Sequence, residues 1–155
     1  MAWDRNPWLI VAGSLSLAAS LLHIGCIIGG PDWYRFFGAG EGMARAAERG
    51  ETYPALVTFA IAVLLAMAAA YAFAGAGVLR QLPLMRTALV VITTVYLLRG
   101  LALIPLVIAR PAVVNSFAIW SSLIVLGYGI VYLLGTRQAW SQLSANQSAQ
   151  KERAI

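Results

Sequence analysis

Arg99 is the residue best placed to do chemistry in this chain. It stands in Tyr96-Leu97-Leu98-Arg99-Gly100, well inside an apolar run long enough to cross a bilayer. A charge at the centre of a membrane helix costs about 2.5–3.5 kcal/mol on insertion scales, so several leucines are needed to offset it. Such a residue faces a bundle interior, pairs with an acid or reaches a water-filled cavity. The plain alternatives are an ion pair that only fixes packing, and snorkelling to the interface. None of the apolar runs contains Asp or Glu, so an intrachain partner has to come from Asp32, Glu41, Glu48 or Glu51, all in the connection after the first run. On a helical wheel Glu41 sits at the edge of the apolar side and can point inward. It is the first expected partner of Arg99, and Asp32 the second.

His23 lies near the end of the first apolar run, and Cys26 follows three residues on, so the two share a helix face. An imidazole there suits ligand binding or acid–base work. The plain reading is a histidine hydrogen-bonded across helices, beside a cysteine that only packs. With one cysteine and one histidine, the chain has no internal disulfide, no cysteine cluster for metal and no multi-histidine site of its own. It also lacks a Walker loop, a dinucleotide-binding fingerprint and a GxSxG element.

Lipid has to surround the elements that position these groups. Hydrophobic residues make up 61% of the 155 and charged ones 11%. A soluble domain carries about 25% charged residues. Apolar runs at about 8–29, 55–79, 84–109 and 112–135 each exceed the roughly 20 residues that cross the hydrocarbon core. Pro7, Pro54, Pro83 and Pro111 each precede a run, as suits a helix start. The expected fold is therefore an all-α membrane four-helix bundle. Residues 1–135 form one transmembrane domain and 136–155 a polar tail that frays at its end. The short links around Arg80 to Pro83 and Arg110-Pro111 predict antiparallel neighbours.

The net charge of +5 forms no basic stripe interleaved with aromatics, which argues against nucleic acid. The basic residues flank the runs and report topology instead. With the N-terminus inside, the inner side holds Arg5, Arg80, Arg86, Arg137, Lys151 and Arg153. The outer side then holds Arg35, Arg45, Arg49 and Arg110. This predicts both termini in the cytoplasm.

The connection from Gly30 to Tyr53 is amphipathic. Trp33, Phe36, Phe37, Met43, Ala44 and Ala47 fall on one side, and Arg35, Arg45 and Arg49 on the other, with a break at Gly38-Ala39-Gly40. One or two short helices are expected there, lying on the outer surface or tucking into the bundle mouth. Pro105 should bend the third span close to Arg99 by removing the hydrogen bond to the Leu101 carbonyl. Gly25 and Gly29 form a GxxxG pair, which permits close helix packing within the chain or in a homo-oligomer.

The segment Gly29-Gly30-Pro31-Asp32-Trp33-Tyr34-Arg35-Phe36-Phe37-Gly38-Ala39-Gly40-Glu41, with Tyr53-Pro54-Ala55-Leu56-Val57-Thr58 and Tyr96-Leu97-Leu98-Arg99-Gly100, resembles a group of small bacterial four-span inner-membrane proteins of unassigned function. The resemblance implies a bacterial inner-membrane setting and carries no activity. The chain departs from the small multidrug exporters, which need an acid in the first span. It also lacks the charged helix motif of the glutathione-using membrane enzymes.

With the N-terminus inside, the outer halves of the spans gather His23, Thr58, Tyr96, Arg99, Asn115, Ser121 and Ser122, while the inner halves hold few polar groups. The leading expectation is an outward-facing polar pocket for an amphiphilic or anionic small molecule, such as a lipid or quinone headgroup. Its site would comprise Arg99, His23, Glu41, Asp32, Tyr96 and Asn115. The alternatives are a non-catalytic subunit of a larger membrane complex, and a membrane enzyme using His23 and Glu41 as acid and base.

Overall fold

The computed structural model describes residues 5–152; Arg153, counted above among the inner charges, lies outside them. The described chain is helical without strands: α1 (Pro7–Phe36), α2 (Glu41–Glu48), α3 (Tyr53–Gly75), α4 (Met85–Leu101), α5 (Leu103–Ala109) and α6 (Ser116–Glu152). Four stretches are long and apolar enough to span a membrane: Pro7–Phe36, Tyr53–Gly75, Met85–Ala109 and Ser116–Ser141. Lipid cannot hydrogen-bond to a backbone, and helices satisfy their own polar groups.

The proline starts hold for two spans. Pro7 opens α1, with the Asn6 side chain accepting from the Leu9 N–H at 3.1 Å, and Pro54 lies in the first turn of α3. The other two helices begin later than expected. Leu84 occupies the left-handed region (φ 54°, ψ 33°), which a right-handed helix excludes, so α4 starts at Met85. Pro111 opens a short 3-10 turn, Pro111–Val113, and the fourth span waits until Ser116. The second span also ends sooner, at Gly75 rather than near residue 79. The helix is interrupted at Ala102, between α4 and α5, three positions before Pro105. That matches the bend expected from the missing proline donor.

The fourth helix continues without a break into residues 136–152, where a polar tail was expected. Tyr132, Thr136, Ala139 and Leu143 are buried along one stripe, and the last two join the main core. Their spacing of four, three and four is that of a packed helix face. Arg86 lies over the Trp140 ring at 4.0 Å from its centre, which fastens this extension to the base of α4.

The helices pack in the order α3, α1, α6, α4. The closest pairs are α1 with α3 and α4 with α6, while α1 against α6 joins the two pairs. The short link between α3 and α4 makes them antiparallel, yet they touch little. Small residues decide the pairing instead. A Cβ at Gly100 would lie 2.7 Å from the Leu126 Cα, and one at Gly129 would lie 3.0 Å from the Leu97 N, so α4 and α6 meet at backbone distance. Across the other pair, Gly13 packs on Phe73, and the Ser20 hydroxyl donates to the Ala62 carbonyl at 2.8 Å. Asn6 ties the pairs together at the base by donating to the Gly135 carbonyl at 2.9 Å.

Gly100→Val should force α4 and α6 apart and destabilise the bundle by about 1–3 kcal/mol, the usual range for overpacking. Gly127→Ala, where an added Cβ meets open space, should be neutral or slightly stabilising. Unfolding in mixed detergent micelles reads both. Equal stability of the two variants would contradict this helix pairing.

Candidate functional site

The end of the bundle away from both termini is closed by the connection between α1 and α3. Its geometry begins at Gly30, where φ 68° and ψ −148° break the helix in a region that only glycine adopts readily. The chain after Pro31 folds back and lays the Trp33 ring over Gly25 and Gly29. A Cβ at Gly29 would collide with that ring. The GxxxG pair therefore seats an indole of the same chain. Helix α2 then packs Ala44 against Cys26 and Tyr34, with Phe37 and Ala47 beside them. Cys26 is a packing residue here. Gly38, at φ +67°, sits so tightly against Phe117 of α6 that a side chain there would overlap the ring.

Arg35 organises the charges of this connection. Its guanidinium donates to both Glu41 oxygens at 3.0 and 3.2 Å, to Glu48 at 2.7 Å and to Asp32 at 3.5 Å. Arg45 donates to Glu41 at 3.0 Å, and Arg49 to Glu51 at 2.7 Å. The hydrogen bonds from Arg35, and then from Arg45, hold the Glu41 carboxyl down at about 2. The expected pairing of Arg99 with Glu41 or Asp32 does not form. Arg35 is close in sequence to both acids; it takes Glu41 in a fork that matches carboxylate geometry and Asp32 through one longer contact. The spacing carried this signal: Asp32 to Arg35 is i, i+3 and Glu41 to Arg45 is i, i+4.

Arg99 stands apart from that network. Its neighbour Gly100 lies level with Leu126, yet its guanidinium reaches Ser122 of α6, about one turn nearer the closed end. The side chain therefore snorkels away from mid-membrane along the α4–α6 seam. The bond from Nη1 to the Ser122 hydroxyl is 3.3 Å, and no carboxylate lies within ion-pair distance among the described residues. A guanidinium has about five N–H donors, so most of this one's capacity is free. Arg99 is exposed at the bundle surface, while Ser122 is buried.

His23 is half-buried on α1, and its Nδ1 lies 2.7 Å from the Ala19 carbonyl. A carbonyl only accepts, so Nδ1 carries the proton. In the neutral ring Nε2 is then left as an acceptor. Seven residues separate Ser16 from His23, which returns to nearly the same helix face about 10 Å nearer the closed end. Ser16 faces α4 and α6, because its hydroxyl meets Tyr96 at 3.0 Å and Tyr132 at 2.9 Å. Ser122 lies about 15 Å beyond Tyr132 along α6. By helix rise, His23 and the Ser122 that holds the Arg99 guanidinium thus lie within about 5 Å of each other in depth.

Tyr96 and Asn115 have local duties. Tyr132 donates to the Ala68 carbonyl at 3.0 Å, so Ser16 must donate to Tyr132 and Tyr96 to Ser16. This gives a directed hydrogen-bond chain through the bundle centre that ends on a backbone carbonyl. The Tyr96 ring packs on Tyr128 and Tyr132 with centroids at 5.8 and 5.2 Å. Asn115 caps α6, its side-chain oxygen accepting the Ala118 N–H at 2.8 Å. Among the six expected site residues, Asp32 and Glu41 meet at Arg35, while Arg99 and His23 share only an approximate depth. Glu41 and Asp32 belong to the connection, Tyr96 to the core and Asn115 to a helix start. The described residues contain no group of three His, Cys, Asp or Glu that could hold a metal.

No known protein family, curated protein or solved structure matches this chain.

The Glu41 carboxyl is held below its ordinary value of 4.5, at about 2, so its contribution to docking α2 is complete above pH 4.5. It should be lost as the pH falls from there toward 2. Fluorescence of Trp33 should report this release, and Glu41→Gln should remove the acid-dependent step. An unchanged transition in Glu41→Gln would contradict the role given to Glu41.

Proposed function

We propose that this membrane protein binds the anionic or strongly polar headgroup of an amphiphile, of lipid or quinone type, at Arg99. Ser122 orients the guanidinium, and the His23 Nε2 is available to a headgroup donor at a similar depth. The single observation that carries the reading is the guanidinium itself: a cation within a span, one hydrogen bond to a hydroxyl, and no carboxylate among the described residues within ion-pair distance. A headgroup entering along the α4–α6 seam would supply the missing charge. Use of Glu41 as a catalytic acid or base has little support, because Arg35 and Arg45 already hold it as a carboxylate.

A charge-assisted hydrogen bond contributes about 1.5–3 kcal/mol, so Arg99→Gln should weaken binding of a fatty-acid carboxylate roughly ten-fold or more. Binding of the matching alcohol should not change. Loss of Arg99→Gln from the membrane, or equal affinity for acid and alcohol, would contradict the proposal.

A second reading is favoured by the same unpaired cation together with the exposed Val91, Val95 and Leu98 on α4. In it, a larger complex supplies a membrane-embedded acid from a partner helix. A photoreactive group at Leu98, 64% exposed, separates the two. Adducts of lipid mass support the first reading and adducts of protein mass the second.

The setting that accompanies this proposal is a bacterial inner membrane with both termini in the cytoplasm. In intact cells a cysteine at Arg110 should then react with an impermeant maleimide and one at Gln81 should not. The reverse pattern would invert the orientation.

A further inference from the structure

We propose a second site at the membrane surface, the open depression lined by Asp32, Trp33, Phe36 and Phe37, and assign to it the alkylated ammonium headgroup of a choline-type lipid. The four residues share one face of the short helical turn after Gly30, at i, i+1, i+4 and i+5. Phe36 stands edge-on to Phe37 at 4.9 Å and 85°, and Trp33 is tilted to Phe37 at 5.6 Å and 47°. The rings therefore turn their faces in different directions around one hollow. A ring face attracts a cation within about 6 Å of its centre, and a methylated ammonium also gains from the apolar contact.

The wall is held in place from behind. Trp33 rests on Gly25 and Gly29, and Phe37 packs against the cluster of Cys26, Tyr34 and Ala44. Even so, Trp33 remains 43% and Phe36 79% exposed, which leaves ring surface for a ligand.

The local charge selects a cation. Asp32, Glu41 and Glu48 stand against Arg35 and Arg45, leaving one carboxylate in excess. Glu41 and Glu48 take the short bonds from Arg35, while Asp32 keeps only the 3.5 Å contact and its side chain is 93% exposed. Asp32 is thus the acid left for a ligand, at the rim of the aromatic hollow. A lipid is the source because the hollow sits where the first span emerges, at headgroup level. Aromatic residues are enriched at that level.

The test uses the full chain in a non-ionic detergent, titrated with tetramethylammonium chloride at constant ionic strength and followed by tryptophan fluorescence. A saturable change is expected. The neutral isostere 3,3-dimethylbutanol and sodium chloride should not reproduce it. Asp32→Asn and Phe36→Ala, both at exposed positions, should each weaken binding about five- to ten-fold. Arg99→Gln should leave it unchanged, which separates this site from the one at Arg99. In nanodiscs of phosphatidylcholine the apparent affinity for tetramethylammonium should fall several-fold relative to discs of phosphatidylethanolamine, which has the same net charge without the methylated ammonium, through competition. The absence of a saturable change, an equal response to sodium, or parent-like binding by both variants would overturn the site. Equal affinity in the two discs would overturn the lipid as its occupant.

Discussion

The constraint on which this structure depends is that hydrocarbon accepts no hydrogen bonds. Each polar group inside the spans either finds a partner in the protein or stands out as a site. Most find one. Tyr96, Ser16 and Tyr132 are linked into a chain that ends on the Ala68 carbonyl, and Ser20 donates to Ala62. These bonds join all four spans at the depth where lipid gives no hydrophobic drive for association. Close backbone approach at Gly100 and Gly129 adds the dispersion contacts that hold α4 to α6. The Thr136 hydroxyl is buried without a partner among the described residues, and Arg99 is the charged exception, with one neutral partner.

The connection outside the spans follows a different rule, because water competes there and sequence neighbours meet first. Arg35 collects Asp32, Glu41 and Glu48, and each pair is too exposed to add much stability alone. Together they fix the direction of α2, and the Gly30 break lets Trp33 close over the end of the first span. The charges at the closed end of the bundle are thus paired locally, and the Gly38 contact with Phe117 ties the connection to α6. None of its carboxylates reaches the cation below.

The spans were legible because their composition admits no other solvent. The amphipathic connection was legible because its apolar side is continuous. Three features were harder to read. Gly25 and Gly29 suit a second helix as well as an indole, and only the fold-back at Gly30 decides between them. The extension of α6 was hidden by its polar composition, although Tyr132, Thr136, Ala139 and Leu143 already carried the spacing of a packed stripe. The depth of Asn115 suggests a place in the site, whereas an Asn directly before a helix reads as a cap. Within the site, the absence of a membrane acid was visible in the sequence. That Glu41 would be held by Arg35 depended on the angle at which the connection folds back.

The central claim is that Arg99 takes its counter-charge from a molecule outside this chain. Native mass spectrometry of the intact protein, released from mild detergent, tests it most directly. The account predicts a retained acidic amphiphile that is absent from an Arg99→Gln sample prepared in parallel. A bare chain, or the same adducts on both proteins, would contradict it.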